Sequence, residues 1–574
     1  MPRKPKTPTK STSSGKSSNS GGNFYIDFKN TAQKMAWAAF QQHDVLFLLG
    51  PAGVGKSYLS CAFAIEQVLA KQKKKIVLTR PIVEAGETLG YLPGEFQDKV
   101  HPYMMPMYDC IDRLVSGPKN ELINERVELA PIAYMRGRAI IDSEKIITPY
   151  GLKPMGEIRV GDYVIGKNGK ATRVQAVYPQ GEVPVFEIKF SDGTKSVCCE
   201  NHLWDTMTLN EKRHNKGYTT KKTKDIMENV KNKHNQKVHR VPIADPVSFE
   251  KQNVPIDPYL MGVLLGDGHV SYPAVSITTC DQEIADEVAR LLPENHDLVY
   301  RGKYDYRVTS NRKQNFIKSY FKEIGLCGLK SYEKFVPDNY KFNSIECRTA
   351  LLQGLLDSNG WICKHRSGNC RIQFCSTSHK LAKDVMFLVR SLGGMSYYRK
   401  REYDEDDSHE YNGRVVRHAR PSYIVDIMIN INPFRLTRKS EQFEPNQKMT
   451  KMISSIEPKG TAKATCITVD ANDGLFLTND FIVTHNTFHD SVCIFDEAQN
   501  ASYMQLKLFL TRFGENSKVI VTGDPNQSDL PGNKVDLMEV VNKLRGVEGI
   551  GIVEFGSDSI VRHSLVSKIV DKLE

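Results

Sequence analysis

Two things are scarce in this chain. No apolar run reaches the roughly 18 residues that a membrane helix needs, and no stretch has the apolar core of a secretion signal. Twelve cysteines in 574 residues are too few for a disulfide scaffold. Cys347, Cys363, Cys370 and Cys375 lack zinc-ligand spacing and read as buried thiols. A reducing, cytoplasmic setting is the expectation. The charged (25%) and apolar (40%) fractions are those of ordinary globular domains, and the length predicts several of them. A net charge of +11 favours a nucleic-acid partner; lysines that merely solvate the surface are the plain alternative. Residues 1–22 are rich in Ser, Lys, Pro and Gly and have no apolar period. They cannot bury a core and predict a disordered basic tail.

What is present begins with DVLFLLG (44–50), an apolar run suited to a buried strand. GPAGVGKS follows (Gly50, Pro51, Ala52, Gly53, Val54, Gly55, Lys56, Ser57), then the helical pattern SYLSCAFAIEQVLA. Strand, glycine-rich loop and helix are the context of a phosphate-binding loop. Backbone N–H groups at the helix start can wrap phosphate oxygens, Lys56 can reach the β- and γ-phosphates, and Ser57 can hold Mg²⁺. A partner strand ending in acid should follow within one compact domain. It is found as SVCIFDEAQN, more than 400 residues downstream. There Asp496 can take a magnesium-bound water and Glu497 can polarise the attacking water. KVIVTGD (518–524) is a third strand, with Asp524 and Gln527 placed to sense the γ-phosphate, and KIVLTR (75–80) is a fourth, ending in Arg80. Alternating strands and helices predict a parallel sheet with ATP at its carboxyl edge.

TAQKMAWAA, GPAGVGKSYLS, TRPIVEAGETLGYLPG, AYMRGR, TFHDSVCIFDEAQN, TRFGENSKVIVTGDPNQSDLPG and DSIVRHSLV resemble the PhoH-like ATPases, which are similar to the motor core of superfamily 1 helicases. The resemblance implies that Gln33 reads the adenine edge and that Arg512 and Arg562 are γ-phosphate or arginine-finger residues; from the sequence alone both arginines read as helix-surface residues. One motor core stands where a helicase has two, so unwinding would require homo-oligomers. RNA is the partner that this resemblance suggests. An ATP-gated RNA-binding module without turnover is the rival reading.

Joining AYMRGR (133–138) to TFHDSV restores the PhoH-like pattern without a gap. The insertion is then residues 139–486, 348 in all, and leaves a host of 226 residues. It ends in His485-Asn486 before Thr487, which resembles the ending of the inteins, the protein-splicing elements. Its first residue is alanine where most inteins have Cys or Ser. Ser143 is an alternative start, but SEKIITPYGLKPMGEIRVGDYVIG resembles the first intein block only when Ala139 is residue one. ENHLW (His202, Trp204), TCITVDANDGLFLT (Cys466) and VTHNT (Thr484) resemble the class 3 inteins, which lack the first nucleophile. That resemblance implies that Cys466 attacks the Arg138 carbonyl and His202 polarises or protonates the scissile amide. Thr487 takes over the acyl group, and Asn486 cyclises with help from His485. Cys199 stands where these blocks usually have threonine, and Leu475 lies near the place of a missing histidine.

Within the insertion, PYLMGVLLGDGHV (258–270) and ALLQGLLDSNGWI (350–362) resemble two LAGLIDADG motifs. The glycines let two helices approach closely. The resemblance implies that Asp267 and Asp357 sit side by side and bind Mg²⁺ shared with the scissile phosphates of double-stranded DNA, at the intein-less junction. The basic, aromatic stretches 300–313 and 397–403 suit strands lying on DNA, with Lys303 and Lys400 as candidate active-site lysines. A degenerate nuclease kept as a splicing scaffold is the alternative. The expected fold is multidomain: an α/β P-loop NTPase (23–138 and 487–574), split by an all-β Hint domain (139–245 and 441–486), which itself holds an α+β LAGLIDADG endonuclease (246–440). Such an arrangement suits a phage or microbial genome.

Overall fold

A computed structural model describes residues 26–81, 96–115, 123, 126–129, 139–270, 274–311, 315–364, 370–403, 408–411, 414–417, 420–445, 449–471, 473–485, 491–510, 516–527, 537–556 and 559. The chain parts into two compact units, residues 1–132 with 490–574, and residues 133–489.

The first unit is a six-stranded, wholly parallel sheet. Its spatial order is 550–554, 45–49, 518–523, 491–495, 75–79, 127–129. VLFLL (Val45–Leu49) and SVCIF (Ser491–Phe495) are buried at every position, as expected for strands covered on both faces. Strand Lys75–Thr79 pairs with a strand from before the insertion and with one from after it: Ile76 stands beside both Val127 and Val492. The sheet therefore closes across the inserted residues.

The second unit holds two kinds of structure. The first is all β. Two strands of 20 and 19 residues, Ala171–Phe190 and Lys451–Val469, pair along most of their length with several register shifts. The short strand Ile140–Ile141 threads between Cys198 on one side and Thr465 on the other. A second sheet runs in the order 219–222, 203–206, 482–485, 475–478, 145–148, 151–154.

The other part repeats a helix–strand–strand–helix–strand–strand pattern. Helices Pro258–Gly266 and Ile345–Asn359 each open a four-stranded antiparallel sheet. The sheet orders match: 268–270, 275–278, 305–310, 296–302 in one, and 360–364, 370–376, 422–428, 395–401 in the other. Asp257 caps the first helix by accepting from the Tyr259 and Leu260 N–H groups, with Pro258 in the first turn. Ser344 caps the second by accepting from the Cys347 N–H. The two parts of this unit are tied by fully buried Arg348, which donates to Val247 O, Ser391 O and Asn343 O. An Arg390–Asp480 ion pair at 2.6 Å adds a second tie.

Glu144, in the turn after the first inserted strand, is raised to about 7 by burial. Between its ordinary value of 4.5 and 7 the unfolded chain has lost a proton that the folded chain keeps. Stability from this group is thus present at low pH and lost as pH rises through that window. Glu144→Gln should flatten the fall in melting temperature of the second unit between about pH 4.5 and 7, measured on a splicing-blocked chain.

Candidate functional sites

The phosphate loop is built by conformation as much as by side chains. Gly55 adopts φ +94° before the helix Lys56–Leu69, a left-handed state that costs glycine little. At Gly50 an added Cβ would lie 2.7 Å from Phe555 O, so no larger residue fits. Lys56 Nζ donates to Pro51 O at 2.9 Å and to Gly50 O, bending over the loop where phosphates would compete for it. Ser57 Oγ donates to Asp496 Oδ1 at 2.7 Å, and Thr522 Oγ1 donates to the same oxygen. Thr522 was not singled out in the sequence. Asp496 is 3% exposed. Glu497, at φ +55°, pairs with Arg80 at 3.3 Å and accepts from Gln499 Nε2 at 2.6 Å. Gln499 Oε1 in turn accepts from the N–H of buried Asp524, while Gln527 is exposed. Gln33 is buried and its carboxamide is engaged: Nε2 donates to Val54 O at 3.0 Å and Oε1 accepts from Lys29 N. In this arrangement Gln33 braces the loop instead of presenting an open adenine-reading edge. Arg512 and Arg562 lie outside the described residues.

A hydroxyl and a carboxylate are hard oxygen donors that suit magnesium. Among the described residues no group of three or more His, Cys, Asp and Glu could cage a metal ion. A cation at Ser57 and Asp496 would therefore complete its shell with phosphates and water. The pair is already assembled in the uncut chain.

At the start of the insertion, Ala139 is fully buried in a cluster with Cys199, Ala464 and Cys466. The pairing of Ile140 with Thr465 and with Cys198, carried one residue along, sets Ala139 between Cys466 and Cys199. The Ala139 N–H donates to Cys199 Sγ at 3.1 Å, and the Cys199 N–H returns a bond to Ala139 O at 3.0 Å. That nitrogen belongs to the Arg138–Ala139 amide. Burial pushes the Cys199 thiol up to about 11, with Cys466 adding to the rise. It is therefore a neutral thiol near neutral pH, its sulfur accepting from the amide. The nitrogen on which His202 was expected to act thus has Cys199 as its hydrogen-bond partner.

His202 Nε2 is hydrogen-bonded to Thr484 Oγ1, and its ring meets Trp204 edge-on at 5.2 Å. All three are fully buried. Thr223, missed in the sequence, joins them: its hydroxyl accepts from Trp204 Nε1 at 3.0 Å and donates to His202 O at 3.1 Å. His485 is buried and pairs across strands with Leu203 and Leu475, so Leu475 fills the position opposite it. Asn486 and Thr487 lie outside the described residues, as does Arg138.

At the paired motif helices the glycines meet. An added Cβ at Gly262 would lie 2.3 Å from Leu351 O, and one at Gly354 would lie 2.2 Å from Tyr259 O. One at Gly266 would strike Ser358 Oγ at 2.0 Å, and those at Gly268 and Gly360 would strike the equivalent carbonyls of Leu264 and Leu356. Every correspondence has the same step of 92 residues (262 to 354, 266 to 358, 268 to 360). By that step Asp267 corresponds to Asn359, and Asp357 corresponds to Leu265. The expectation of two facing carboxylates, Asp267 and Asp357, is corrected by this register. Asp267 is exposed. Asp357 is 2% exposed, and its Oδ2 accepts from Tyr259 OH and from the Arg435 and Leu436 N–H groups at 3.0–3.1 Å. Burial raises its carboxyl.

The lysines also differ from expectation. Lys303 sits at φ +50° in the turn between two strands, and Lys400 is an exposed edge-strand residue paired with Glu402. The motif helix ends are instead capped by Lys334, which donates to the carbonyls of Leu264, Leu265, Gly266 and Gly268. Lys439 does the same at Leu356, Asp357 and Gly360. Burial lowers both to about 8.

A family model for PhoH-like proteins matches residues 25–148 and 482–574, and one for a LAGLIDADG-like domain matches residues 346–426. The chain is 44% identical over 124 residues to a PhoH-like protein of Bacillus subtilis (strain 168), covering 21% of this chain and 39% of that one. It is 35% identical over 164 residues to Protein PhoH of Escherichia coli (strain K12), covering 27% and 46%. The matched stretches thus span under half of these relatives' length. Among solved structures, the MchDnaB-1 intein matches at 29% identity over 18% of this chain and 66% of that one, with a TM-score of 0.14. The Msm DnaB1 intein splicing domain bound with zinc matches at 36% identity over 12% and 55%, with a TM-score of 0.12. The chain carries a PhoH-like domain split around an insertion that contains a LAGLIDADG-like domain.

Thr223→Val tests the node beneath the histidine. It leaves the Trp204 N–H buried without this partner, a cost of about 1–3 kcal/mol, while the His202 carbonyl keeps its bond from the Thr223 N–H at 2.8 Å. Chemical denaturation should show the loss, and the same variant should splice more slowly.

Proposed function

We propose that this chain is a self-splicing precursor: the PhoH-like flanks join into an ATP-hydrolysing protein, and the insertion leaves as an intein with a DNA-directed nuclease module. The observation that carries the reading is the Ala139 amide, held by Cys199 beside Cys466 in a dry cluster. In this reading the Cys466 thiolate adds to the Arg138 carbonyl carbon. The Arg138–Ala139 C–N bond breaks as the departing nitrogen takes a proton, with the Cys199 thiol as the nearest neutral donor and His202 supporting. Thr487 Oγ then displaces the thiolate. The Asn486 side-chain amide attacks its own carbonyl, cutting the bond to Thr487, with His485 moving the proton. The ester between Arg138 and Thr487 rearranges to an amide. Trp204 and Thr484 act by positioning His202.

Mass spectrometry of the expressed chain should find a 226-residue product containing AYMRGRTFHDSV and a 348-residue intein. Cys466→Ala should abolish cleavage after Arg138, because Ala139 offers no replacement. Cys199→Ala should slow that step by about a hundredfold if proton donation is lost, and Cys199→Thr should recover part of it. A host product that retains residues 139–142 would move the junction to Ser143 and defeat this assignment.

For the flanks, the Ser57–Asp496 contact supports a nucleotide site that needs no splicing. Lys56 would hold the phosphates, Ser57 and Asp496 the magnesium, and Glu497 the attacking water. A precursor locked by Cys466→Ala and Asn486→Ala should bind ATP with Mg²⁺ about as tightly as the spliced protein, within roughly threefold. Lys56→Ala should lose binding in both, and Glu497→Gln should bind without turnover. Binding confined to the spliced form would refute a preassembled site.

A further inference from the structure

The motif helices contain an internal control. Both carry a lysine cap on the same carbonyls, step for step: Lys334 on Leu264, Leu265 and Gly268, Lys439 on Leu356, Asp357 and Gly360. Both pack through glycines at one constant register, and both open sheets of the same strand order. The difference lies at the position that faces the helix junction. One half ends in the carboxylate of Asp267, and the other ends in the neutral carboxamide of half-buried Asn359. Asp357 stands two residues earlier on its helix, and its buried Oδ1 has no hydrogen-bond partner among the described residues. Two backbone N–H groups and Tyr259 OH fix its Oδ2, and the Arg435 guanidinium covers the Tyr259 ring at 4.4 Å. A matched pair of carboxylate-held magnesium ions therefore does not fit the residues present.

We infer that the nuclease module is a one-carboxylate centre that nicks one strand of its DNA and leaves the other intact. The inference rests on the endonuclease reading above. Two pseudo-symmetric helix ends meeting a duplex address one strand each, as two-fold protein symmetry maps onto two-fold sites. In the Asp267 half, a water oxygen bonds to phosphorus, one phosphorus–oxygen bond to a sugar breaks, and that sugar oxygen takes up the proton the water loses. The Asn359 half has the same lysine and backbone but lacks the anionic oxygen, and its strand is not cut.

The test uses the full chain and a supercoiled plasmid carrying the uninterrupted Arg138–Thr487 junction, with Mg²⁺. Wild type should give open circles, broken always in the same strand. Asn359→Asp should produce linear plasmid where wild type stops at open circles, and should bind Mn²⁺ more tightly, since cation affinity follows the count of charged ligands. Asp267→Asn should stop nicking and weaken Mn²⁺ binding. Asp357→Asn should leave Mn²⁺ affinity and the nicked strand unchanged. Cutting of both strands at like rates by wild type would overturn the inference, as would an Asp357→Asn loss of Mn²⁺ affinity equal to that of Asp267→Asn in a folded protein. Wild type that binds the junction but breaks neither strand would also overturn it, while leaving DNA recognition standing. A chain that neither binds nor breaks the junction overturns the endonuclease reading and this inference together.

Discussion

The parallel pairing of strand Lys75–Thr79 with Val127–Leu129 on one side and Ser491–Phe495 on the other is the constraint from which the remaining organisation follows. Parallel strands cannot be joined by a tight turn; the chain must cross from one end of the sheet to the other, over a dozen or more residues. The insertion occupies that crossover. With residues 139–486 removed, residues 130–138 and 487–490 remain to make it, thirteen in all, which meets the geometric need. Loop-closure entropy grows only slowly with length, so a very long detour at this point weakens the sheet little. This accounts physically for Asp496 lying against Ser57 although 439 residues separate them in the sequence.

The same logic of strand placement governs the inserted unit. Its first strand is only two residues long, yet it lies between two neighbours, and that position puts the Ala139 amide between two thiols. A dry surrounding keeps Cys199 protonated, while cross-strand pairing keeps His485, Leu475 and Leu203 in line. The paired-helix part is not loosely hung on this frame: Arg348 and the Arg390–Asp480 pair join it to segments next to the splicing strands. Asp480 lies in the turn that leads directly into the strand of Thr484 and His485.

Much of this was legible because the decisive signals are local. GPAGVGKS between an apolar run and a helix declares its own geometry, and His485-Asn486 marks the end of the insertion within a few residues. Signals that depend on register or on distant partners were not legible. LLDSNG offers an aspartate at the end of an apolar helix, and reading it as the partner of Asp267 is natural until the glycine contacts count the turns. Asp357 lies two residues before the corresponding position, and on a helix two residues turn a side chain about 200° away. Lys334 and Lys439 lie far along the chain from the helices they cap, with no local pattern to separate them from surface lysines. Thr223 looks like any helix-start threonine until the Trp204 N–H is placed on it. Gln33 shows the converse: a family pattern suggested a ligand contact where the fold uses the amide to hold its own loop.

The central claim is that Cys466 receives the acyl group of Arg138 although the insertion begins with a residue that cannot attack. The most direct measurement is to trap the branched species in a precursor carrying both Asn486→Ala and Thr487→Ala, which blocks cyclisation and the transfer to Thr487, and to map the acylated residue by peptide mass spectrometry before and after added thiol. The account predicts residues 1–138 joined to Cys466 through a thioester that thiol releases. An acyl link found at Ser143 or Cys199, or an N-terminal flank that thiol does not release, would contradict it.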